Sequence, residues 1–198
     1  MKEFWNERFS SEEYVYGTSP EVRLKDFIDR STPGLVLFPG EGEGRNAVYA
    51  AKKGWTVKAI DQSKEACKKA NLLARNKGVA IDYAVADILT FDYKPGSFDF
   101  IALVFFHLPE ELRKKIHQHL ISLLKPGGRI FIVGFSQEQL QYNSGGPRQI
   151  EMLYSEELLK NDFRDLKLIK CKTLLDELDE GPGHSGQASI IEFEAVKM

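Results

Sequence analysis

Short apolar runs alternate with amphipathic segments along most of the chain. The apolar runs, each of strand length, lie at residues 35–38, 56–60, 81–86, 98–105 and 129–135. Helical patterns lie at residues 45–53, 63–77 and 110–124. Strands that alternate with helices are typical of an α/β domain with a mainly parallel sheet. We therefore predict this fold class.

The last part of the chain has a different pattern. After a predicted helix at residues 155–162, strand-like segments at residues 166–174 and 188–196 are separated by a glycine-rich connection without a helix. Parallel neighbours need a long crossover, whereas antiparallel neighbours can be joined by a loop. We therefore predict an antiparallel pair at one edge of the sheet, around a loop at residues 179–186.

Composition and charge exclude several classes of protein. The chain has 198 residues and a formal net charge of −2, which is ordinary for one globular domain and argues against nucleic-acid binding driven by bulk charge. The longest apolar run, residues 100–106, is too short to span a membrane, and the charged N-terminus does not resemble a signal peptide. Cys67 and Cys171 belong to no metal-binding pattern. We expect one cytoplasmic, monomeric domain over residues 1–198, without a metal and without a nucleic-acid or membrane partner.

A glycine-rich loop follows the first predicted strand. Its sequence is Pro39-Gly40-Glu41-Gly42-Glu43-Gly44-Arg45-Asn46. Glycines let the backbone approach a ligand closely and expose amides at a helix start. A dinucleotide-binding loop requires its third glycine one position later, and two carboxylates would repel a pyrophosphate. The loop therefore favours a positively charged ligand, and a simple tight turn is the alternative.

The second and third strands each end at an acidic residue. Ligands of open α/β sheets bind beyond the carboxyl ends of the strands. Asp61 can accept hydrogen bonds from both hydroxyls of a ribose, or it can cap the next helix. Asp87 can accept from an adenine amino group while Ile88 packs on the ring, or it can be a turn residue. Together these signals indicate an adenosine-containing ligand.

Three histidines lie on or near the predicted helix at residues 110–124. His107 follows the fourth strand, where it could orient a ligand or act as a base, or could be a helix-entry residue. His117 and His119 are two residues apart and face different directions, so they do not form a metal-binding pair. We expect both on the surface.

The ordered set of motifs resembles a known family. The motifs Gly40-Glu41-Gly42-Glu43-Gly44-Arg45-Asn46, Asp61, Ala86-Asp87-Ile88, Phe98-Asp99 and Leu124-Lys125-Pro126-Gly127-Gly128 resemble those of class I S-adenosylmethionine (SAM)-dependent methyltransferases. Residues 44–49, 5–9 and 14–17 are similar to the tellurite-resistance type, a relative of the thiopurine type. The resemblance implies a Rossmann-like sheet of seven strands in the order 3-2-1-4-5-7-6, with strand 7 antiparallel, helices on both faces and residues 1–30 as an N-terminal lid.

The resemblance also implies which residues bind the cofactor. It assigns the glycine loop to the methionine part of SAM, Asp61 to the ribose and Asp87 to the adenine. The implied cofactor-binding residues are Trp5, Tyr16, Gly17, Gly40, Glu41, Gly42, Arg45, Asn46, Asp61, Gln62, Asp87, Ile88, Leu103 and Val104.

Two positions depart from the family pattern. The usual acidic residue two positions before the first glycine is Phe38 here, so the contact to the SAM amino group must come from elsewhere, with Glu41 as a candidate. In the tellurite type the loop between the last two strands carries a histidine followed by an arginine, whereas this chain has His184-Ser185. Binding of an anion such as tellurite is therefore in doubt.

Our main hypothesis is methyl transfer from SAM to a small-molecule acceptor such as a thiol, selenium or tellurium species, with S-adenosylhomocysteine as the product. His184 is the first candidate for an acceptor-side base or orienting residue and His107 the second, while Tyr142 and residues 145–148 are candidates for lining the acceptor pocket. One alternative, motivated by Phe38, is a SAM-binding protein without methyltransferase activity. Another is an NAD-dependent oxidoreductase, which the glycine spacing disfavours.

Overall fold

A computed structural model describes residues 2–198 of the chain; Met1, where the predicted domain and lid begin, lies outside the described residues. The helices are α1 (Lys2–Arg8), α2 (Val22–Asp29), α3 (Arg45–Lys52), α4 (Lys64–Asn76), α5 (Glu110–Leu123) and α6 (Glu156–Asp162). The strands are β1 (Leu35–Pro39), β2 (Thr56–Asp61), β3 (Asp82–Val85), β4 (Phe98–Val104), β5 (Leu124–Phe135), β6 (Lys167–Asp179) and β7 (Ser185–Val196).

The seven strands form one sheet in the order β3-β2-β1-β4-β5-β7-β6. Strand β2 pairs in parallel with β1 and β3, and β4 pairs in parallel with β5. Strand β7 is antiparallel to both β5 and β6. The predicted fold class, strand order and antiparallel terminal pair are therefore confirmed.

The chain forms two compact units. The first contains residues 2–92 together with residues 180–183, and the second contains residues 93–179 and 184–198. The prediction of a single domain over the whole chain stays a prediction. Within residues 2–198, no helix combines the length and the apolarity that crossing a membrane requires.

In the first unit, side-chain caps define where two helices begin. The Ser63 hydroxyl accepts a hydrogen bond from the amide of Ala66 and caps α4. The Glu21 carboxylate accepts from the amide of Leu24 and caps α2, a helix that the hydrophobic pattern did not predict. Helix α2 has only eight residues, of which Leu24, Phe27 and Ile28 are buried, so its apolar face is too short to stand out in the sequence.

In the second unit, a buried polar cluster joins α5 and α6. The Asp162 carboxylate accepts hydrogen bonds from Arg113 Nε at 2.9 Å and from His117 Nδ1 at 2.8 Å. His117 is fully buried, so the prediction that it lies on the surface was wrong, and burial lowers its pKa. Its partner lies 45 residues away in sequence, which helix periodicity alone does not reveal.

The terminal hairpin is longer than the apolar pattern predicted. Strand pairing extends to Asp179 opposite Ser185, so the connecting loop shrinks to residues 180–184. The residues added to β6, at positions 175–179, combine two leucines with three acidic residues on an edge strand, and they do not form a continuous apolar run.

Candidate functional site

The glycine loop, residues 40–44, lies at the carboxyl end of β1 and has a backbone that requires glycine. Gly40, Gly42 and Gly44 have φ values of +64°, +64° and +90°. The amide of Gly40 donates to the carbonyl of Ile60 at 2.7 Å. A Cβ atom at Gly42 would lie 3.4 Å from the ring of Phe9. The loop therefore presents backbone rather than side chains at this end of the sheet.

The two carboxylates of this loop bind protein groups in the structure. Oε1 of Glu41 accepts from the amides of Asn46 at 3.0 Å and Ala47 at 2.7 Å, at the start of α3. Oε2 of Glu43 accepts from the amide of Val15 at 2.8 Å. Burial raises the pKa of Glu41 to about 8. Glu41 thus caps α3, and its contact with a ligand amino group stays a prediction.

Asp61 ends β2 with its carboxylate against the glycine loop. Oδ2 accepts from the amide of Gly42 at 3.1 Å, and Oδ1 accepts from the amide of Ser63 at 2.9 Å. Burial raises the pKa of this carboxyl. Because Ser63 provides the side-chain cap of α4, the alternative that Asp61 is only that cap is not supported.

Gln62 and Asp87 are brought together after β2 and β3. Gln62 Nε2 donates to Asp87 Oδ2 at 3.4 Å, and the amide of Leu89 donates to Asp87 Oδ1 at 2.9 Å. Asp87 is exposed while Ile88 is buried. An acceptor and an apolar side chain therefore stand side by side, as an adenine ring would require, although the Asp87 carboxylate also stabilises its own turn.

The N-terminal aromatic residues pack together in the first unit. Trp5 stacks on Phe9 with ring centroids 5.4 Å apart, and Phe9 meets Tyr16 edge-on at 6.3 Å. Asn6 Oδ1 accepts from the Ser63 hydroxyl at 2.9 Å, which ties α1 to the start of α4. Phe9, to which the sequence assigned no role, is the ring that contacts Gly42. The sequence signal that could have identified Phe9 is its position between Trp5 and Tyr16, the two aromatic residues predicted for the lid.

Arg45 and Asn46 use their side chains to hold neighbouring segments. Arg45 donates to the carbonyl of Tyr16 at 3.1 Å and to the Glu180 carboxylate at 3.0 Å. Asn46 Oδ1 accepts from the amide of Glu21 at 3.0 Å. A Cβ atom at Gly17 would lie 3.6 Å from the Glu180 carbonyl. These residues are close to the glycine loop, but their side chains bind protein.

In the second unit, the carboxyl end of β4 leads into a strained residue. Leu103 is buried and Val104 is partly exposed. Phe105, which follows them, has a φ of +50° and donates its amide to the carbonyl of Val133 at 2.7 Å. A left-handed backbone costs a bulky residue roughly 1–3 kcal/mol and persists where its surroundings enforce it. The sequence gives no sign of this strain.

The His184 ring packs in an aromatic cluster with Phe105 and Phe135. It lies edge-on to Phe105 at 4.3 Å and to Phe135 at 5.1 Å, and the residue is 4% exposed. A Cβ atom at Gly146 would come within 2.6 Å of the Phe135 ring. The structure therefore brings His184 and Gly146 of the predicted acceptor loop to the ring of Phe135. The backbone carbonyl of Tyr142 accepts a hydrogen bond from Arg148 at 2.9 Å.

His107 is held as a structural, neutral imidazole. The amide of Phe135 donates to Nε2 at 3.0 Å, so Nδ1 carries the proton and donates to the carbonyl of Met152 at 2.9 Å. Burial lowers the pKa of His107 to about 4. Both ring nitrogens are engaged, so the structure does not support the predicted role of His107 as a base.

We expect His107 to make the stability of the fold depend on pH. A histidine with a native pKa of about 4 and an ordinary pKa of 6.5 stabilises the fold above pH 6.5, and this contribution is lost as the pH falls to 4. The loss amounts to at most about 3 kcal/mol. In His107→Gln, the difference in unfolding free energy from the wild type should shrink over this window, as urea titrations at several pH values would measure. A constant difference would contradict the assignment.

Comparison with known proteins finds methyltransferases that are similar to part of this chain. Residues 36–128 match the family model described as a methyltransferase domain. Residues 36–128 are therefore similar to a methyltransferase domain. Ubiquinone biosynthesis O-methyltransferase from Idiomarina loihiensis is 37% identical over 117 residues, which are 56% of this chain and 47% of that relative. The chain spans between 41% and 60% of the length of the curated relatives it matches.

Solved structures share the fold of this chain. TehB from Haemophilus influenzae aligns with a TM-score of 0.72 at 20% identity, covering 100% of this chain and 67% of TehB. A structure from work on the conversion of a disulfide bond into a thioacetal group during echinomycin biosynthesis aligns with a TM-score of 0.79 at 18% identity, covering 100% of this chain and 92% of that one. At these identities the likeness concerns the fold.

Proposed function

We propose that this protein transfers a methyl group from SAM to a small-molecule acceptor, and that a thiol, selenium or tellurium species is the acceptor. The observation that carries the first part is the Asp61 carboxylate against the backbone of the glycine loop, within the segment that matches the methyltransferase domain. The proposal for the acceptor rests on the aromatic cluster of the second unit.

The residues of the first unit suit SAM chemically. The carboxylate of Asp61 has the acceptor oxygens that a ribose diol needs, and the glycine loop has no side chains to exclude a ligand. Asp87 and Ile88 offer an acceptor and an apolar surface for the adenine. We assign Leu103 and Val104 of the second unit to the amino group and sulfonium on the family resemblance alone.

The chain's own groups would bind, orient and shield the reactants. SAM supplies a methyl group that is electrophilic because it is attached to a sulfonium. Holding donor and acceptor in the attack geometry can supply much of the rate. Trp5, Tyr16 and Gly17 of the N-terminal segment would exclude water from the cofactor.

The aromatic cluster of the second unit favours a soft acceptor. Phe105 and Phe135 present ring surfaces to His184, and sulfur makes favourable contacts with aromatic rings. A thiolate or selenium nucleophile needs little help from a base, whereas a hydroxyl acceptor needs one. The ubiquinone relative makes an oxygen acceptor the comparison to include in an assay.

Calorimetric titration with SAM, S-adenosylhomocysteine and NADH tests the cofactor. We expect micromolar binding of the first two and no heat from NADH. Formation of S-adenosylhomocysteine is then measured with thiols, selenite and a phenol. Binding of NADH, or of none of the three, would contradict the proposal.

His184→Ala and His184→Phe should preserve SAM affinity and lower turnover. With a thiol or selenium acceptor, which needs little help from a base, we expect a loss smaller than the roughly 100-fold that removal of a base costs with a hydroxyl acceptor. His184→Phe is the sharper variant, because it keeps an aromatic ring, larger by one atom, against Phe105 and Phe135 and removes the nitrogens. Unchanged kcat in His184→Phe would show that the imidazole has no role in the reaction.

One observation favours SAM binding without turnover as a second candidate. Phe38, at the position of the usual acidic residue, is fully buried, and Glu41 caps α3. Phe38 has no carboxylate for the SAM amino group, and Oε1 of Glu41 is engaged at the start of α3. Tight SAM binding without S-adenosylhomocysteine formation across the acceptor panel would favour this candidate.

A further inference from the structure

Arg45 links two segments of the first unit that are far apart in sequence: the strap, residues 14–17, and the tail loop, residues 180–183. Nη1 of Arg45 donates to the carbonyl of Tyr16 at 3.1 Å, and Nη2 donates to Oε2 of Glu180 at 3.0 Å. The two charged side chains are only 8% and 13% exposed. Each charge is largely removed from water, so each depends on the other for stabilisation.

The strap and the tail loop also fit closely against each other. The amide of Gly183 donates to the carbonyl of Val15 at 2.9 Å. A Cβ atom at Gly181 would lie 2.8 Å from the amide nitrogen of Gly17, and one at Gly183 would overlap the ring of Tyr16. Two glycines of the tail loop therefore permit an approach that larger residues would prevent.

The strap has a second set of anchors that do not involve the tail loop. Oε2 of Glu43 accepts from the amides of Val15 at 2.8 Å and Tyr16 at 3.4 Å. Lys69 of α4 pairs with the same carboxylate at 2.5 Å. These bonds attach the strap to the glycine loop and α4, whereas Arg45 extends the attachment to the tail loop.

We infer that Arg45 is a positioning residue that makes the strap and the tail loop open and close together, as one cover. Arginine suits this role because its planar fork donates in two fixed directions at once, which a lysine ammonium does not reproduce. The consequence for SAM exchange rests on the proposed function, whereas the coupling of the two segments does not.

Hydrogen exchange of the ligand-free protein tests the coupling. Glu180→Gln keeps the shape of the side chain and removes its charge. We expect the amides of both segments to exchange about 10-fold faster in this variant, because a cooperative unit opens as a whole. Arg45→Lys should act in the same direction. Lys58→Gln, which breaks an exposed ion pair with Asp82 in the same unit, should leave both segments unchanged.

Each outcome decides the inference. Faster exchange confined to the tail loop, or no change in either segment, would overturn the coupling. Where a single variant fails to fold because a buried charge has lost this ion pair, the double variant Arg45→Gln/Glu180→Gln removes both charges and should still expose the two segments together.

The rate of SAM release tests whether the coupled segments cover the cofactor. We expect release to be roughly 10-fold faster from Glu180→Gln than from the wild type, in line with the faster opening. Unchanged release with accelerated exchange would overturn the role as a cover. A wild-type protein that binds no SAM would instead contradict the proposed function, and the exchange result would still decide the role of Arg45.

Discussion

Replacing Gly44 by alanine should lower the free energy of unfolding by roughly 3 kcal/mol, the sum of a left-handed backbone penalty and overpacking. Gly44 is the N-cap of α3 and has a φ of +90°. A Cβ atom there would lie 2.6 Å from the Cβ and 2.8 Å from the Cα of Ala70 in α4. Backbone cannot move aside as a flexible side chain can, so α3 and α4 would have to separate.

Gly78→Ala is the matched control for this prediction. Gly78 has a φ of +70°, and a Cβ atom there would meet nothing within 4 Å. Only the backbone penalty applies, so we expect a loss of about 1 kcal/mol. Urea unfolding of the two variants and the wild type measures the difference. Equal losses at the two sites would show that α3 and α4 can adjust around the added methyl group.

Most strands were predictable from local patterns in the sequence, whereas their order in the sheet was implied by the family resemblance. Buried strands such as β4 are nearly continuous apolar runs, and a helix separates β4 from its parallel neighbour β5. Helix α1 has no buried residues, so its sequence carries no amphipathic signal of the kind that identified α4. The helices that the sequence pattern did not predict are therefore the exposed α1 and the short α2.

The roles of the loop carboxylates were not predictable in the same way. A glutamate beside a helix start can cap that helix or face a ligand, and spacing does not distinguish the two. Glu41 is close in sequence to the amides it accepts from, but Glu43 accepts from Val15, 28 residues earlier. His107 similarly binds the carbonyl of Met152, 45 residues later. Folding determines these hydrogen-bond partners, so the sequence identified the side chains as candidates but did not determine their roles.

Asp61→Ala should weaken SAM binding by roughly 100-fold or more. Under the proposed function the carboxylate accepts from both ribose hydroxyls, and hydrogen bonds to a charged group contribute about 1.5–3 kcal/mol each. A total of about 3 kcal/mol corresponds to about 100-fold in affinity. Calorimetry with SAM measures the change.

The structure shows why alanine alone is an incomplete test. Asp61 also accepts from the amides of Gly42 and Ser63, and each amide left unpaired costs about 1–3 kcal/mol of stability. Asp61→Asn keeps one acceptor oxygen and removes the charge. We expect it to fold more stably than the alanine variant while still binding SAM more weakly than the wild type.

Ser63→Ala separates loss of stability from loss of ligand contacts. It removes the cap of α4, which costs about 0.5–2 kcal/mol, and the hydrogen bond to Asn6, and it leaves the Asp61 carboxylate in place. Asp61→Asn and Ser63→Ala should therefore both destabilise the first unit, but only the former should lower SAM affinity. If both variants bind SAM as the wild type does, Asp61 stabilises the glycine loop and the ribose is held by other groups. If both lose affinity equally, order at the start of α4, rather than the carboxylate, is what SAM binding requires.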